Sequence, residues 1–555
     1  MRRIALALTL FASAIGGACG ANQPAPAPLD ARLDATQQQD PLARITLGEA
    51  SLAADVKRMY ELHDGALLWQ SPVRLKQLVA ALNGLADDGL DPRNYAVDRL
   101  ARDADAMTET PPVTVADRAD MDVHATAACL LALYQLAHGV VNPRSVYPNL
   151  ALTPPAGYSD AALRAVVEAV EQSRIAQAFD RARPQQPVYA ALRNELAHLR
   201  AVASAGGWPT LAPGPSLKPG MRDPRVPELR RRLDLAGVPT AGDVVTDPDF
   251  YDMAIASAVS RYQARNLLDS DGVLGPATLA ALNVTAATRS GQLRANLERA
   301  RWFLPRLPGR YVLVDIAGYR LTYFDGAKPV WRARIQVGRP KRPTPVLRST
   351  INAITLNPQW VVPPTILRQD ILPRARRDPG YFARNRLHVL DATGRELDPR
   401  TIDWRHPPSG LTLRQDPGAK GALGVVAIRF PNPYHVYLHN TPHTRLFSCQ
   451  QRAFSSGCVR VEHALKLAEL LLDDPEHWNR AALDAAVATG ETRNVPLAHP
   501  VPVLLLYWTV HTLDDGRVAF NPDVYQQDPP LLESIDRQQA RFEKALANRY
   551  RAGGS

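Results

Sequence analysis

Apolar residues recur at helical spacing through the first half of the chain and at alternate positions in much of the second. Leu75, Leu78, Leu82 and Leu85 step by three and four residues, and ADDGLDP then supplies a Gly and Pro stop, which predicts a helix. Asp122 to His138 predicts a second, strongly apolar helix that ends at Gly139. Further on, Val226, Leu229 and Leu233 share one helical face, and Ala254, Val259 and Tyr262 share another. From Tyr311 the period becomes two. YVLVDI, YRLTYF and VWRARIQV, with a turn at Asp325-Gly326, predict antiparallel strands. The fold class expected is therefore multidomain α + β, helical first and β-rich last.

Punctuation divides this pattern. QPAPAP marks a linker, and Gly206 to Gly220 holds eight Pro or Gly in fifteen residues, a domain boundary. Residues 366–388 carry six Arg against two Asp and break the strand pattern, so they read as part of an inserted subdomain facing substrate as a lid. The expected organisation is an export signal at 1–21, a linker at 22–40, a helical scaffold at 41–205, a helical unit at 216–285, a β-rich domain at 305–525 with an insertion at 366–425, and a tail at 526–555. In the helical part, His63 and His124 read as solvated or capping groups.

Length and composition narrow the class. At roughly 150 residues per domain, 555 residues exclude a single small binding module. Hydrophobic residues at 46% and charged residues at 22% suffice for real cores. The net charge of +10 suits a carboxylate-bearing partner as well as nucleic acid; with no run of five Lys or Arg and only 6% aromatics, nucleic acid is poorly supported. Arg2 and Arg3, the apolar run Ile4 to Ile15, and the small residues through Ala18 read as an export signal cleaved near Ala18 or Ala21, too short to span a bilayer. Cys19 would tether the chain to a membrane only if lipidated. Export leaves Cys129, Cys449 and Cys458, an odd number, so at least one thiol stays free. Cys129, in an apolar helical run, reads as a buried packing residue.

The chemistry concentrates near Cys458. YHVYLHN alternates, which would put His435, Tyr437 and His439 on one face of a strand. His435, His439 and His443 would converge on zinc in a helix, but in a strand the first two lie about 13 Å apart, which argues against a metal. Ser455-Ser456-Gly457-Cys458-Val459-Arg460 follows, and EHALKLAELLL then predicts a helix close behind the cysteine. A thiol at a helix N-terminus beside Arg460 should fall below its usual pKa of about 8.5. Gly457 permits a tight turn whose backbone N–H groups can face an oxyanion. The bland alternative is a structural cysteine, which needs neither the Ser-Gly turn nor an upstream histidine.

Two resemblances follow from these residues. LKPGMRDPRVPELRRRLDLAGVP with AIASAVSRYQARNLLDSDGVLGPATLAALN resembles the peptidoglycan-binding type 1 domain, a three-helix module. HNTPHTRLFSCQQRAFSSGCVRVEHA resembles the L,D-transpeptidase (YkuD-like) signature, and NPQWVVPPTI, RQDPGAKGALG and FPNPYHVYLHNTP resemble the large periplasmic YcbB-type members. The resemblance implies Cys458 as nucleophile, His439 as general base, Gly457 and Ser456 in the oxyanion turn, and Arg460, Tyr437, Trp360 and Asn440 toward substrate. Ser456 stands where the family often has His, which leaves His439 as the motif's proton acceptor. The implied reaction is a 3→3 cross-link through a thioester, with a tetrapeptide stem as donor and a stem amine as acceptor, in the periplasm, without metal or cofactor. The same motif also admits an L,D-carboxypeptidase, a lipoprotein-anchoring enzyme, or a non-catalytic wall-binding scaffold.

Overall fold

Burial on every side explains the longest helix of the first half. In the computed structural model, which describes residues 45–109, 114–148, 150, 152–240, 247–378 and 380–552, helices α1 (Leu52–Glu61), α2 (Pro72–Asn83), α3 (Val97–Ala106), α4 (Val115–His138), α5 (Asp160–Glu171), α6 (Ile175–Ala182) and α7 (Pro187–Ser204) form the first unit. The expected export signal, Cys19 and the linker lie outside the described residues. Leu75, Leu78 and Leu82 are buried on α2, and α4 runs through the centre with Ala125 through Leu136 buried all round, the pattern of a helix enclosed by others. His124 is fully buried there, contrary to the solvated role expected, because α4 has no solvent face at that turn.

Helices α8 (Val226–Leu235), α9 (Met253–Arg265) and α10 (Pro276–Leu282) form a second unit with its own core of Val226, Leu229, Leu233, Val259 and Tyr262. Helix α11 (Ala286–Phe303) then joins the units, burying Glu298, Arg299 and Arg301. Those charges are paired: Glu298 accepts from the amides of Val140 and Val141 at 2.6 and 2.7 Å and from Arg301 at 2.9 Å, while Arg299 reaches Asp528 at 2.5 Å. Asp528 starts helix α14 (Asp528–Ala552), so the segment expected as a tail is a helix whose Leu531 and Ile535 are buried in the main core.

The second half is built on a closed sheet. Strands β1 (Arg310–Asp315), β2 (Arg320–Asp325), β3 (Lys328–Gly338), β4 (Leu347–Leu356), β9 (Val426–Arg429), β10 (Leu438–His439), β12 (Val459–Val461) and β13 (Arg493–Leu506) run in the order β3-β12-β10-β9-β4-β13-β1-β2, and β2 also pairs with β3. Closure removes the exposed edges an open sheet would carry. Strand β11 (Ala453–Ser455) adds outside β3, and helices α12 (Ala464–Leu472) and α13 (Arg480–Ala488) follow β12. The hairpin of β14 (Val510–Thr512) and β15 (Val518–Phe520) lies between β13 and α14.

The insertion is a separate four-stranded sheet in the order β5 (Trp360–Val361), β8 (Thr412–Gln415), β6 (Leu387–Leu390), β7 (Glu396–Leu397), with its own core around Phe382, Val389, Trp404 and Leu413. Its first strand precedes residue 366, the expected start, because Trp360 pairs with Gln415. No helix among the described residues is long and apolar enough to cross a membrane.

Candidate active site

Two short parallel strands assemble the site. β10 and β12 pair with Leu438 opposite Val459 and His439 opposite Arg460, and the Val459 amide donates to the Tyr437 carbonyl at 3.1 Å. With side chains alternating along each strand, this register gathers Tyr437, His439, Cys458 and Arg460 on one face. Tyr437 and His439 meet edge to face with ring centroids 5.7 Å apart, and the Tyr437 hydroxyl lies beside the Cys458 thiol. The thiol also faces the His435 carbonyl at 3.9 Å.

His435 departs from the expected strand. The extended pairing covers Leu438 and His439 alone, and His435 sits in a turn with φ +55, its side chain exposed. Asn432 builds that turn by accepting from the amides of Tyr434 and Val436, both at 3.1 Å. The Asn432-Pro433 pair was the sequence signal for it. The strand-spacing argument against zinc therefore does not hold as framed; among the described residues no group of three His, Cys, Asp or Glu is placed to hold a metal.

His439 is almost fully buried, and its Nδ1 lies 2.5 Å from the Asn440 carbonyl. A carbonyl only accepts, so Nδ1 carries the proton and Nε2 keeps the lone pair of the neutral ring. Burial, and then repulsion from Arg460, push the imidazole pKa down to about 3. Asn440, expected at substrate, holds this ring through its backbone carbonyl, and its amide side chain packs against Gly424 so closely that a Cβ there would fall 2.1 Å from Oδ1.

Cys458 corrects a second expectation. β12 stands between it and α12, whose first residue is Ala464, so no helix N-terminus acts on the thiol. Burial pushes the thiol pKa up, opposed by the Tyr437 hydrogen bonds and the charges of Arg460 and Arg429. The resting pair is therefore a protonated thiol and a neutral imidazole. Arg460 is braced by Gln336, paired with it across β3, at 3.1 Å.

The turn before Cys458 uses Ser455 more than Ser456. Ser455 Oγ accepts from the Gly457 amide at 3.1 Å and donates to the Cys458 carbonyl at 2.5 Å, so the Gly457 N–H expected to face an oxyanion is already engaged. Gly457 itself is needed at φ +119, and its carbonyl accepts from Thr344 at 2.8 Å. Ser456 is exposed and accepts from Arg342 at 3.0 Å; Arg342 also pairs with Asp370 of the insertion at 2.5 Å, tying that subdomain to the turn. Trp360 lies on β5 against the insertion's core. Thr344 and Arg342 carried no periodic or motif signal by which sequence could single them out, and neither the motif around Ser455 nor the strand around Gln336 showed what those side chains hold. The three described cysteines, Cys129, Cys449 and Cys458, are free.

Comparison with known proteins places this site. Residues 309–495 match the YkuD family, "L,D-transpeptidase catalytic domain"; residues 54–196 match "Scaffold domain", and residues 222–282 match "Putative peptidoglycan binding domain". A curated relative from Haemophilus influenzae, "Putative L,D-transpeptidase", is 33% identical over 218 residues, 39% of this chain and 44% of its own length. The chain thus spans less than half of the curated relative it matches. Among solved structures, an L,D-transpeptidase from Xylanimonas cellulosilytica aligns at 16% identity and a TM-score of 0.17, covering 53% of this chain and 99% of that one. L,D-transpeptidase 3 from Mycobacterium tuberculosis, in complex with a faropenem-derived adduct, aligns at 14% and 0.17, covering 36% and 60%. Residues 309–495 are thus similar to the L,D-transpeptidase catalytic domain of the YkuD family, beside segments similar to a scaffold domain and to a peptidoglycan-binding domain.

Proposed function

We propose that this protein is a periplasmic, cysteine-dependent L,D-transpeptidase that forms 3→3 cross-links in peptidoglycan. The observation that carries the reading is the single face holding Cys458, Tyr437, His439 and Arg460 within that catalytic domain. The Cys458 sulfur attacks the carbonyl between the third residue of a tetrapeptide stem and its terminal D-Ala, and the thiol proton passes to Nε2 of His439. The S–C bond forms, the C–N bond breaks, and the proton leaves on the D-Ala amine. The side-chain amine of a neighbouring stem then attacks the thioester, the C–S bond breaks, and the thiol is restored. With the Gly457 amide bonded to Ser455, the Cys458 amide and the Tyr437 hydroxyl beside the reacting sulfur are left as donors for the developing oxyanion. The Asp370–Arg342–Ser456 chain supports a lid role for the insertion, and exposed Arg374, Arg376 and Arg377 offer it charge toward stem carboxylates.

The test is incubation of the purified protein with disaccharide tetrapeptide, followed by mass spectrometry of products and protein. Release of D-Ala, an acyl adduct on Cys458 and a 3→3 dimer are expected, as is acylation of the same thiol by a carbapenem. Tripeptide alone would redirect the reading to an L,D-carboxypeptidase, and a lipoprotein adduct to an anchoring enzyme. An unmodified protein beside unchanged substrate would leave a wall-binding scaffold.

The turn supplies a further expected result. At Gly457 a Cβ would meet nothing nearer than 3.6 Å, so Gly457→Ala is opposed by its φ of +119 alone. Backbone strain of about 1–3 kcal/mol should shift the turn rather than unfold the domain. D-Ala release should fall roughly ten- to a hundredfold with a small change in Tm; unchanged turnover would remove the turn from the mechanism.

A further inference from the structure

The scaffold, the peptidoglycan-binding type module and the catalytic half meet at a cavity of about 170 Å³ lined by four arginines, Arg232, Arg265, Arg289 and Arg517. Arg517 is paired with Asp515. The other three have neutral partners among the described residues: Arg232 donates to the Leu282 carbonyl at 2.9 Å, Arg265 to the Gly237 carbonyl at 3.0 Å and Arg289 to Gln292 at 2.9 Å. Arg232 is only 3% exposed, and its Nη1 is buried without a hydrogen-bond partner. Its guanidinium lies 4.0 Å from the Trp208 ring centroid, and that of Arg289 lies 4.4 Å from the Phe520 ring centroid, so apolar faces hold both cations.

Such an arrangement is costly without a counter-charge. A buried guanidinium with an unused donor bears an unreturned desolvation cost, and like charges around one small cavity add repulsion. Arg289 bears on Arg232 in this way, and Arg517 on Arg265, where Asp515 partly offsets it. Glu195 also lines the cavity, its carboxyl pushed up by burial and pulled down by His198, and sets one carboxylate against four guanidinium groups. Planar guanidinium forks match the oxygens of a carboxylate or phosphate. The volume is below the roughly 300–1,000 Å³ of drug-sized pockets, which limits the occupant to a small anion or the charged end of a larger molecule.

We propose that this junction is an oxyanion-binding site, taking either the carboxylate end of a wall stem peptide or a free phosphate through Arg232, Arg265 and Arg289. The stem-peptide source rests on the function proposed above; the site itself does not. The experiment uses the full chain carrying Cys458→Ala, so that peptide stays intact, at low ionic strength with calorimetric titration of inorganic phosphate and, separately, of disaccharide tetrapeptide. Arg232→Gln and the half-buried Arg265→Gln should each weaken binding about tenfold or more, whereas the exposed Arg144→Gln, away from the cavity, should match the parent. Should Arg232→Gln fail to fold, Arg265→Gln and Arg232→Lys carry the test. Phosphate binding alone supports the site with phosphate as its source, and tetrapeptide binding that phosphate competes away supports the stem carboxylate. Absence of binding by both probes, or binding that Arg265→Gln leaves unchanged, overturns the proposal. Loss of cross-linking activity in the parent protein would bear on the proposed reaction and leave the phosphate result standing.

Discussion

Cys458→Ala should reduce D-Ala release and cross-linking by at least about a thousandfold, because alanine offers no atom to form the thioester. The fold should survive: the thiol's contacts are the Tyr437 hydroxyl and a carbonyl at 3.9 Å, and the turn is held independently by Ser455, Thr344 and Arg342. Intact-mass measurement after carbapenem exposure should show an adduct on the parent protein and none on the variant, with Tm within a few degrees. Residual transpeptidation, or an adduct on Cys449, would sink the assignment of the nucleophile.

His439→Gln should slow acylation by about a hundredfold or more, the usual range for losing general acid–base assistance. His443→Ala and His435→Asn should cost far less; asparagine suits the φ of +55 at position 435. Equal losses at all three positions would return attention to a metal. The pH dependence follows from the site's charges. With its pKa near 3, His439 is neutral across the working range, while the thiol, raised by burial, stays protonated near neutrality. Turnover should therefore lack an acid limb near 6.5 and rise with pH as the thiol ionises. Stability also falls in acid, and here the imidazole is the cause. An imidazole that refuses a proton when folded but takes one near 6.5 when unfolded favours unfolding as pH falls below 6.5, increasingly so down to about 3. His138 and His511, both pushed down to about 4 by burial, act in the same direction. Chemical denaturation at pH 7 and pH 5 should show the loss at the lower pH, and His439→Gln should show less of it.

The chemistry at Cys458 illustrates why a motif and its environment separate. Ser455 through Arg460 are adjacent in the chain, so their identity and order needed no folding to read. Whether the thiol is ionised depends on how much water reaches it and which charges surround it. Arg429, Tyr437 and Gln336 come from three other segments, brought there by the pairing of β9, β10 and β3. The expected fall in thiol pKa failed because three strand residues, Val459 to Val461, intervene before the helix, and a hydrophobic run of that length reads equally as strand or helix start.

Sequence by itself determined what repeats locally. Helices α2 and α4 and strands β1 to β3 follow from apolar periods of 3.6 and 2 sustained over enough residues to outweigh chance, and the Gly and Pro breaks bounded them. It also determined the order of His439, Gly457 and Cys458. Tertiary structure alone decided the rest. It shortened the histidine strand to two residues by an Asn432 turn, gave the Gly457 amide to Ser455, joined the insertion to the catalytic turn through Arg342 and Asp370, and packed the C-terminal helix on buried Arg299. Each of these is a contact between segments with no shared period, set by desolvation and hydrogen-bond satisfaction in the folded chain, and no local pattern encodes it.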